Sequence, residues 1–273
     1  MKKCLAVAGL AAAVAAVAVP LILTAPGRAK KEKKAPFMGR NFAHRGLHSE
    51  DKSVPENSLE AFRQARDAGY GMELDVHLSK DGEVVVFHDD TLERICGVEG
   101  RVEDMDCAEL KQLPLCGTEQ RIPLLGEVLE LVNGSVPLIV ELKNGKRNKE
   151  LCEKTYALLS GYKGDYCIES FNPMMVGWFR RNAKDVLRGQ LASTCDDYKG
   201  IDRRLALLLS RCLLNVVSRP HFIAYRIGPK PFMVKLSEAM GAMKVGYTSR
   251  VEENEIGRDA VIFEFYRPRL KYK

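Results

Sequence analysis

In "MELDVHLSKDGEVVVFHDD", residues 72–90, Glu73, Asp75 and His77 occupy alternate positions ahead of a Lys-Asp-Gly turn, and an apolar run then ends in His88, Asp89 and Asp90. Alternation with period two is a strand signal, and in a strand residues 73, 75 and 77 point to one side. Two carboxylates therefore stand on a face where a strand would ordinarily bury Val or Ile. Glycine in the turn supplies a positive φ, so "EVVVF" returns antiparallel to "MELDVHL". A turn flanked by residues 79 and 83 sets His88 opposite residue 74. One short segment thus delivers a histidine beside two acids, a pattern that belongs to a site rather than to a core.

Similar β-like runs recur at 41–46, 136–143, 165–171, 188–193, 221–227, 243–249 and 259–265, which with 71–78 makes eight. Helical patterns fall between them: "ENSLEAFRQARDAG" after a Ser58 or Asn57 cap, "IPLLGEVLELV" with Pro123 in the first turn, and "NPMMVGWFRRN" starting on Asn172-Pro173. Alternating strands and helices predict an α/β fold, and eight strands predict a closed (β/α)8 barrel over residues 39–273. The returning strand is an extra, because its connection is too short for a parallel crossover. It opens an insertion over about residues 84–120. The apolar run 203–219 is expected as a barrel helix with a secondary chance of touching a membrane.

Residues 1–38 form a different unit. Seven of the chain's 42 basic residues and one of its 36 acidic residues lie in 1–34, which leaves 35 of each elsewhere. The barrel is therefore neutral and offers nucleic acid no electrostatic footprint. Cys4 to Ala25 is uncharged and long enough to span a bilayer, which needs about 20 residues. We expect a hydrophobic anchor helix rather than a cleaved signal peptide. The cations Arg28, Lys30, Lys31, Lys33 and Lys34 follow it and outnumber those before it. That asymmetry predicts a single-pass protein of the cell membrane with its barrel in the cytoplasm. The cysteines show no metal-ribbon spacing and are expected as reduced thiols.

Barrel active sites gather at the carboxyl ends of the strands. Strand one ends in His44-Arg45, strand two carries Glu73 and Asp75, strand three ends Glu141-Leu142-Lys143, and strand four ends Glu169-Ser170-Phe171. Glu73, Asp75 and Glu141 at one mouth repel each other unless a cation neutralises them. Their oxygen donors favour one hard divalent ion, Mg²⁺ or Ca²⁺, over Zn²⁺; the bland alternative is an ion-pair cluster with Arg45 and Lys143. His44 and His88 suit general acid–base work, Arg45 can fork onto a phosphoryl group, and Lys143 adds a point charge. His77 is read as solvated or supporting, His48 as solvated and His221 as structural. The set suggests phosphodiester cleavage.

"AHRG", "VPENSLEAF", "ELDVHLSKDGEVVVFHDDTLER" and "VELK", in that order, resemble the glycerophosphodiester phosphodiesterase family, part of the superfamily that includes phosphatidylinositol-specific phospholipase C. The resemblance covers about residues 40–268. It implies catalytic histidines at His44 and His88, metal ligands at Glu73, Asp75 and Glu141, and phosphate contacts at Arg45 and Lys143. Glu56 and Asn57 of "PENS", and Ser170 of "SFNP", match supporting motifs. The second half departs from the family, with "VGYTS" and "DAVIFEFYRP" on the last two strands. The expected reaction releases glycerol 3-phosphate and an alcohol from a small glycerophosphodiester. A lysophospholipase D acting on bilayer lipids is the nearer alternative, and a catalytically silent tethered barrel the farther one.

Overall fold

The computed structural model describes residues 16–272. Nine strands form one sheet: β1 (Arg40–Ala43), β2 (Gly71–Leu78), β3 (Val84–Val86), β4 (Leu138–Leu142), β5 (Tyr166–Ser170), β6 (Leu187–Ala192), β7 (Phe222–Arg226), β8 (Met243–Ser249) and β9 (Ala260–Phe263). All but β3 run parallel, and the β1–β2 and β1–β9 pairings close them into a barrel. The eight expected barrel strands are all present.

Strand alternation sorts the side chains into two layers. Leu74, Val76, Val140 and Ile168 face the surrounding helices, while Phe42, Ile139, Cys167, Leu187 and Phe222 fill the barrel interior. Interior glycines make room for those rings: a Cβ on Gly71 or Gly189 would stand 2.5 Å from the Phe42 ring or 2.0 Å from the Phe222 ring. Toward the carboxyl ends the interior turns polar, with Glu73, Asp75, Glu141 and Glu169 all buried.

Strand β2 is longer than its neighbour and serves two partners along one edge. Gly71 and Met72 pair with β1, and Val76 to Leu78 pair antiparallel with β3. His77 sits opposite Val85, the register expected from the turn, and Phe87 N donates to Asp75 O at 3.0 Å. The end of β1 and the returning chain after β3 therefore meet over the middle of β2. That meeting brings His44 and His88 to Glu73 and Asp75.

The insertion after β3 has its own small core of Val85, Phe87, Leu92, Ile95, Leu110 and Ile122. The apolar run 203–219 is not one helix. It breaks between Arg203–Ser210 and Asn215–Ser218, where Cys212 takes a left-handed φ of 55°. The seven described cysteines are free.

The expected membrane span falls mainly on residues that the structure does not describe. Most of the Cys4–Ala25 run lies outside the described residues; residues 16–24 are helical, and no described helix is long and apolar enough to cross a membrane. The described end of that run docks on the barrel. Arg219 Nη1 donates to Ile22 O and Ala25 O at 2.8 and 2.9 Å, and Gly27 N donates to Pro220 O at 2.9 Å.

Candidate active site

Asp75 of β2 and Glu141 of β4 are register partners, and Glu73 stands one inward position deeper. One oxygen from each of the three lies within 4.8 Å of the others. Each carboxylate is held by a partner that fixes its direction. Arg45, in the left-handed region at φ 53°, turns its backbone N–H onto Glu73 Oε2 at 2.9 Å. Asn57 Nδ2 donates to Asp75 Oδ2 at 2.8 Å, and Lys143 Nζ stands 3.2 Å from Asp75 Oδ1 and 2.8 Å from Glu141 Oε1.

The electrostatics of this group are unbalanced. Burial, then repulsion from Asp75, Glu141 and Glu169, pushes the Glu73 carboxyl well above its ordinary range. Glu169 is raised in the same way, and its Oε2 is buried with no hydrogen-bond partner. Burial opposes the charge on Asp75 too, but Lys143 and its neighbours outweigh it and hold that carboxyl low. Four carboxylates with Arg45 and Lys143 between them leave an excess of negative charge that a cation would neutralise. Convergent oxygen donors fit a hard divalent ion, held by Glu73, Asp75 and Glu141.

Both histidines are oriented alike. His44 Nδ1 lies 2.9 Å from Glu264 Oε2, and its Nε2 faces Glu73 Oε2 at 4.0 Å. His88 Nδ1 lies 2.5 Å from Asp89 Oδ1. A carboxylate on Nδ1 fixes the proton there and leaves Nε2 free to exchange one. Burial lowers the His44 pKa from 6.5 to about 4 against the opposing hydrogen bond to Glu264, so its ring is neutral near pH 7. Glu264 directly follows β9, next to Phe263, whose carbonyl accepts from His44 N at 2.9 Å, and Arg250 holds its Oε1 at 2.8 Å.

A chain of alternating charges ties the two sides together. Arg94 Nε reaches Asp89 Oδ2 at 2.5 Å and its other nitrogens reach Glu56 at 2.7 and 2.8 Å, while Arg45 Nη1 takes Glu56 Oε1 at 2.7 Å. Burial opposes the Glu56 charge, but the two arginines prevail and bring its pKa from 4.5 to about 2. A carboxylate depressed on folding contributes stability that is complete above about pH 4.5 and lost as pH falls toward 2. Glu56→Gln should therefore lower the urea midpoint at pH 7, and the gap from wild type should close as pH falls through that window. A gap independent of pH would contradict the clamp.

A family model described as the glycerophosphoryl diester phosphodiesterase family matches residues 44–263. The chain belongs to that family. A glycerophosphodiester phosphodiesterase of Caldanaerobacter subterraneus subsp. tengcongensis is 43% identical over 112 residues, covering 38% of this chain and 44% of that protein. A lysophospholipase D of Rattus norvegicus is 36% identical over 160 residues, covering 54% and 49%. The chain spans about half the length of these curated relatives. Among solved structures, an Oleispira antarctica phosphodiesterase in complex with the product sn-glycerol-3-phosphate superposes with a TM-score of 0.67 at 25% identity, covering 83% of this chain and 93% of that one. A glycerophosphodiester phosphodiesterase from Thermotoga maritima gives 0.62 at 27% identity, covering 82% and 93%.

In this family member the structure gathers His44, Arg45, Glu56, Asn57, Glu73, Asp75, His88, Glu141 and Lys143 at one end of the barrel. Ser170 stands apart: its Oγ donates to Leu142 O at 2.7 Å and accepts from Asn172 N at 3.1 Å, fastening the ends of β4 and β5. His77 is buried, not solvated, with Nε2 3.2 Å from the His88 carbonyl oxygen, which is the supporting place. His48 is also largely buried, its side chain 8% exposed beside Glu264. Sequence reasoning missed Asp89, Arg94 and Glu264 as parts of the site, and it placed Glu169 at a polar strand end without giving it a role. Asp89 and Glu264 each left a signal, since one follows His88 directly and the other directly follows a barrel strand.

Proposed function

We propose that the barrel hydrolyses glycerophosphodiesters to glycerol 3-phosphate and an alcohol. The observation that carries this is the matched pair of histidines, each with Nδ1 on a carboxylate, beside three convergent acids. When bound there, a divalent ion would supply Lewis-acid polarisation and charge neutralisation at phosphoryl and hydroxyl oxygens. One histidine takes the proton of the attacking water or glycerol hydroxyl through Nε2 as that oxygen bonds to phosphorus; the phosphorus–oxygen bond to the alcohol breaks and the other histidine gives the departing oxygen its proton. Where the hydroxyl attacks, the product is a cyclic phosphate that water then opens to glycerol 3-phosphate with the two histidines in exchanged roles. Arg45 and Lys143 hold the phosphoryl group and balance its charge. Mg²⁺ and Ca²⁺ are the ions the oxygen donors favour.

The test is a substrate panel. Glycerophosphocholine with Mg²⁺ or Ca²⁺ should yield glycerol 3-phosphate, and a chelator should stop it. Faster turnover of lysophosphatidylcholine would favour the lysophospholipase D reading, which the rat relative and the exposed Ile201, Leu205 and Leu208 support. The charge asymmetry about the apolar amino-terminal run supports a membrane-tethered barrel on the cytoplasmic side. Topology reporters fused at the carboxyl terminus would overturn that placement if they read as external.

A further inference from the structure

A second group of ligand atoms is gathered on the Nδ1 side of His44. Glu264 Oε2 lies 2.9 Å from His44 Nδ1 and 3.8 Å from His48 Nε2. One donor atom from each of these three residues lies within 4.8 Å of the others. The His48 ring stands edge-on to Phe265, with centroids 4.9 Å apart. Its Nε2 is buried and has no hydrogen-bond partner. An unpartnered buried nitrogen is costly, so a ligand that accepts its lone pair would be stabilising there.

Two imidazoles and a carboxylate make a donor set unlike the all-oxygen group of Glu73, Asp75 and Glu141. The nitrogen-rich set suits Zn²⁺, whereas carboxylate oxygens alone suit Mg²⁺ or Ca²⁺. Arg250 engages Glu264 through Oε1, at 3.1 and 2.8 Å, so Oε2 is taken up by the His44 Nδ1 proton alone, which an ion on Nδ1 would replace. A surface cavity of about 250 Å³, lined in part by His48, Phe265, Tyr266 and Arg267, offers the way in.

We infer that His44, His48 and Glu264 form a second metal site that takes Zn²⁺ and, when filled, switches the enzyme off. The inhibitory half rests on the proposed role of His44. Zinc on the Nδ1 lone pair requires the neutral ring to carry its proton on Nε2. As a base, Nε2 then has no lone pair to offer. As an acid, it is the N–H of a neutral ring, far weaker than an imidazolium. Either role is lost, and the hard ion at the acidic group need not leave.

The experiment titrates Zn²⁺ into the full chain at saturating Mg²⁺, followed by calorimetry and by glycerol 3-phosphate release. One zinc per chain should bind, turnover should fall with the same saturation, and more Mg²⁺ should not restore it. His48→Ala and His48→Asn should keep uninhibited turnover. Losing even a supporting partner of a metal ligand costs about 10–100-fold in affinity, so these variants should weaken zinc binding and inhibition by at least that much. Zinc binding and inhibition unchanged in both variants, or strict competition with Mg²⁺, would overturn the site. If neither variant folds, zinc X-ray absorption on the wild type decides: a two-imidazole shell supports the site and an oxygen-only shell overturns it. Calorimetry reads the site even if no diester is cleaved, so failure of the hydrolase reading is distinguishable from failure of this one.

Discussion

Replacing Glu73, Asp75 or Glu141 by Ala should lower divalent-ion affinity and turnover together. Loss of a supporting group around a metal ligand costs about 10–100-fold in affinity, and loss of a charged ligand should cost at least as much. Gln and Asn variants keep the shape but not the charge, so they should be nearly as damaging. Glu141→Gln also takes the charge from one of the two acids that hold Lys143, at 2.8 and 3.2 Å. Isothermal titration with Mg²⁺ and Ca²⁺ checks this, and an unchanged titration in Glu141→Ala would remove that residue from the site. The ion-free protein provides an independent check. Glu169 adds a buried carboxyl with an unpartnered oxygen to an already crowded group. Glu169→Gln should therefore raise the melting temperature of the ion-free chain, and a fall would contradict the repulsion.

His44→Ala and His88→Ala should each lose most of the turnover at saturating ion. Positioned acid–base groups contribute about 10²- to 10⁴-fold, so the single losses should reach that range. The double variant should lose little more, because groups that act as a unit are not additive. Stopped assays of glycerol 3-phosphate on the four proteins measure the cycle. His77→Ala should lose far less than His88→Ala, since His77 touches only the backbone carbonyl of His88 among its hydrogen-bonding partners. Near-normal turnover in His88→Ala would break the pair.

The local half of this site was legible because strand geometry is local. Period-two alternation placed Glu73 and Asp75 on one face, and a tight turn set the register that carries Phe87 back to Asp75. The resemblance of the quoted motifs named the same acids, histidines and cations. The partners that hold those groups were harder to read, because they come from far along the chain. His44 and Glu264 are 220 positions apart, and Glu56 and Arg94 are 38 apart. No period or spacing connects them; only barrel closure through β1 and β9 brings Glu264 to His44. Burial of His48 was missed for a related reason. Phe265 covers His48, so loop polarity misread it, while His77 took the supporting one of its two expected places, under the chain after β3. In the 203–219 run the many leucines and valines hid the break at Cys212, where the backbone turns left-handed just after Arg211.

In the proposed mechanism His44 and His88 act through Nε2 on one phosphorus above an ion held by Glu73, Asp75 and Glu141. A crystal structure of the chain with Ca²⁺ or Mg²⁺ and sn-glycerol 3-phosphate would decide it. The ion should lie among those three carboxylates, with the phosphate within hydrogen-bond reach of both Nε2 atoms, each Nδ1 still on its own carboxylate. An ion bound elsewhere, or a phosphate that reaches neither histidine, would contradict it.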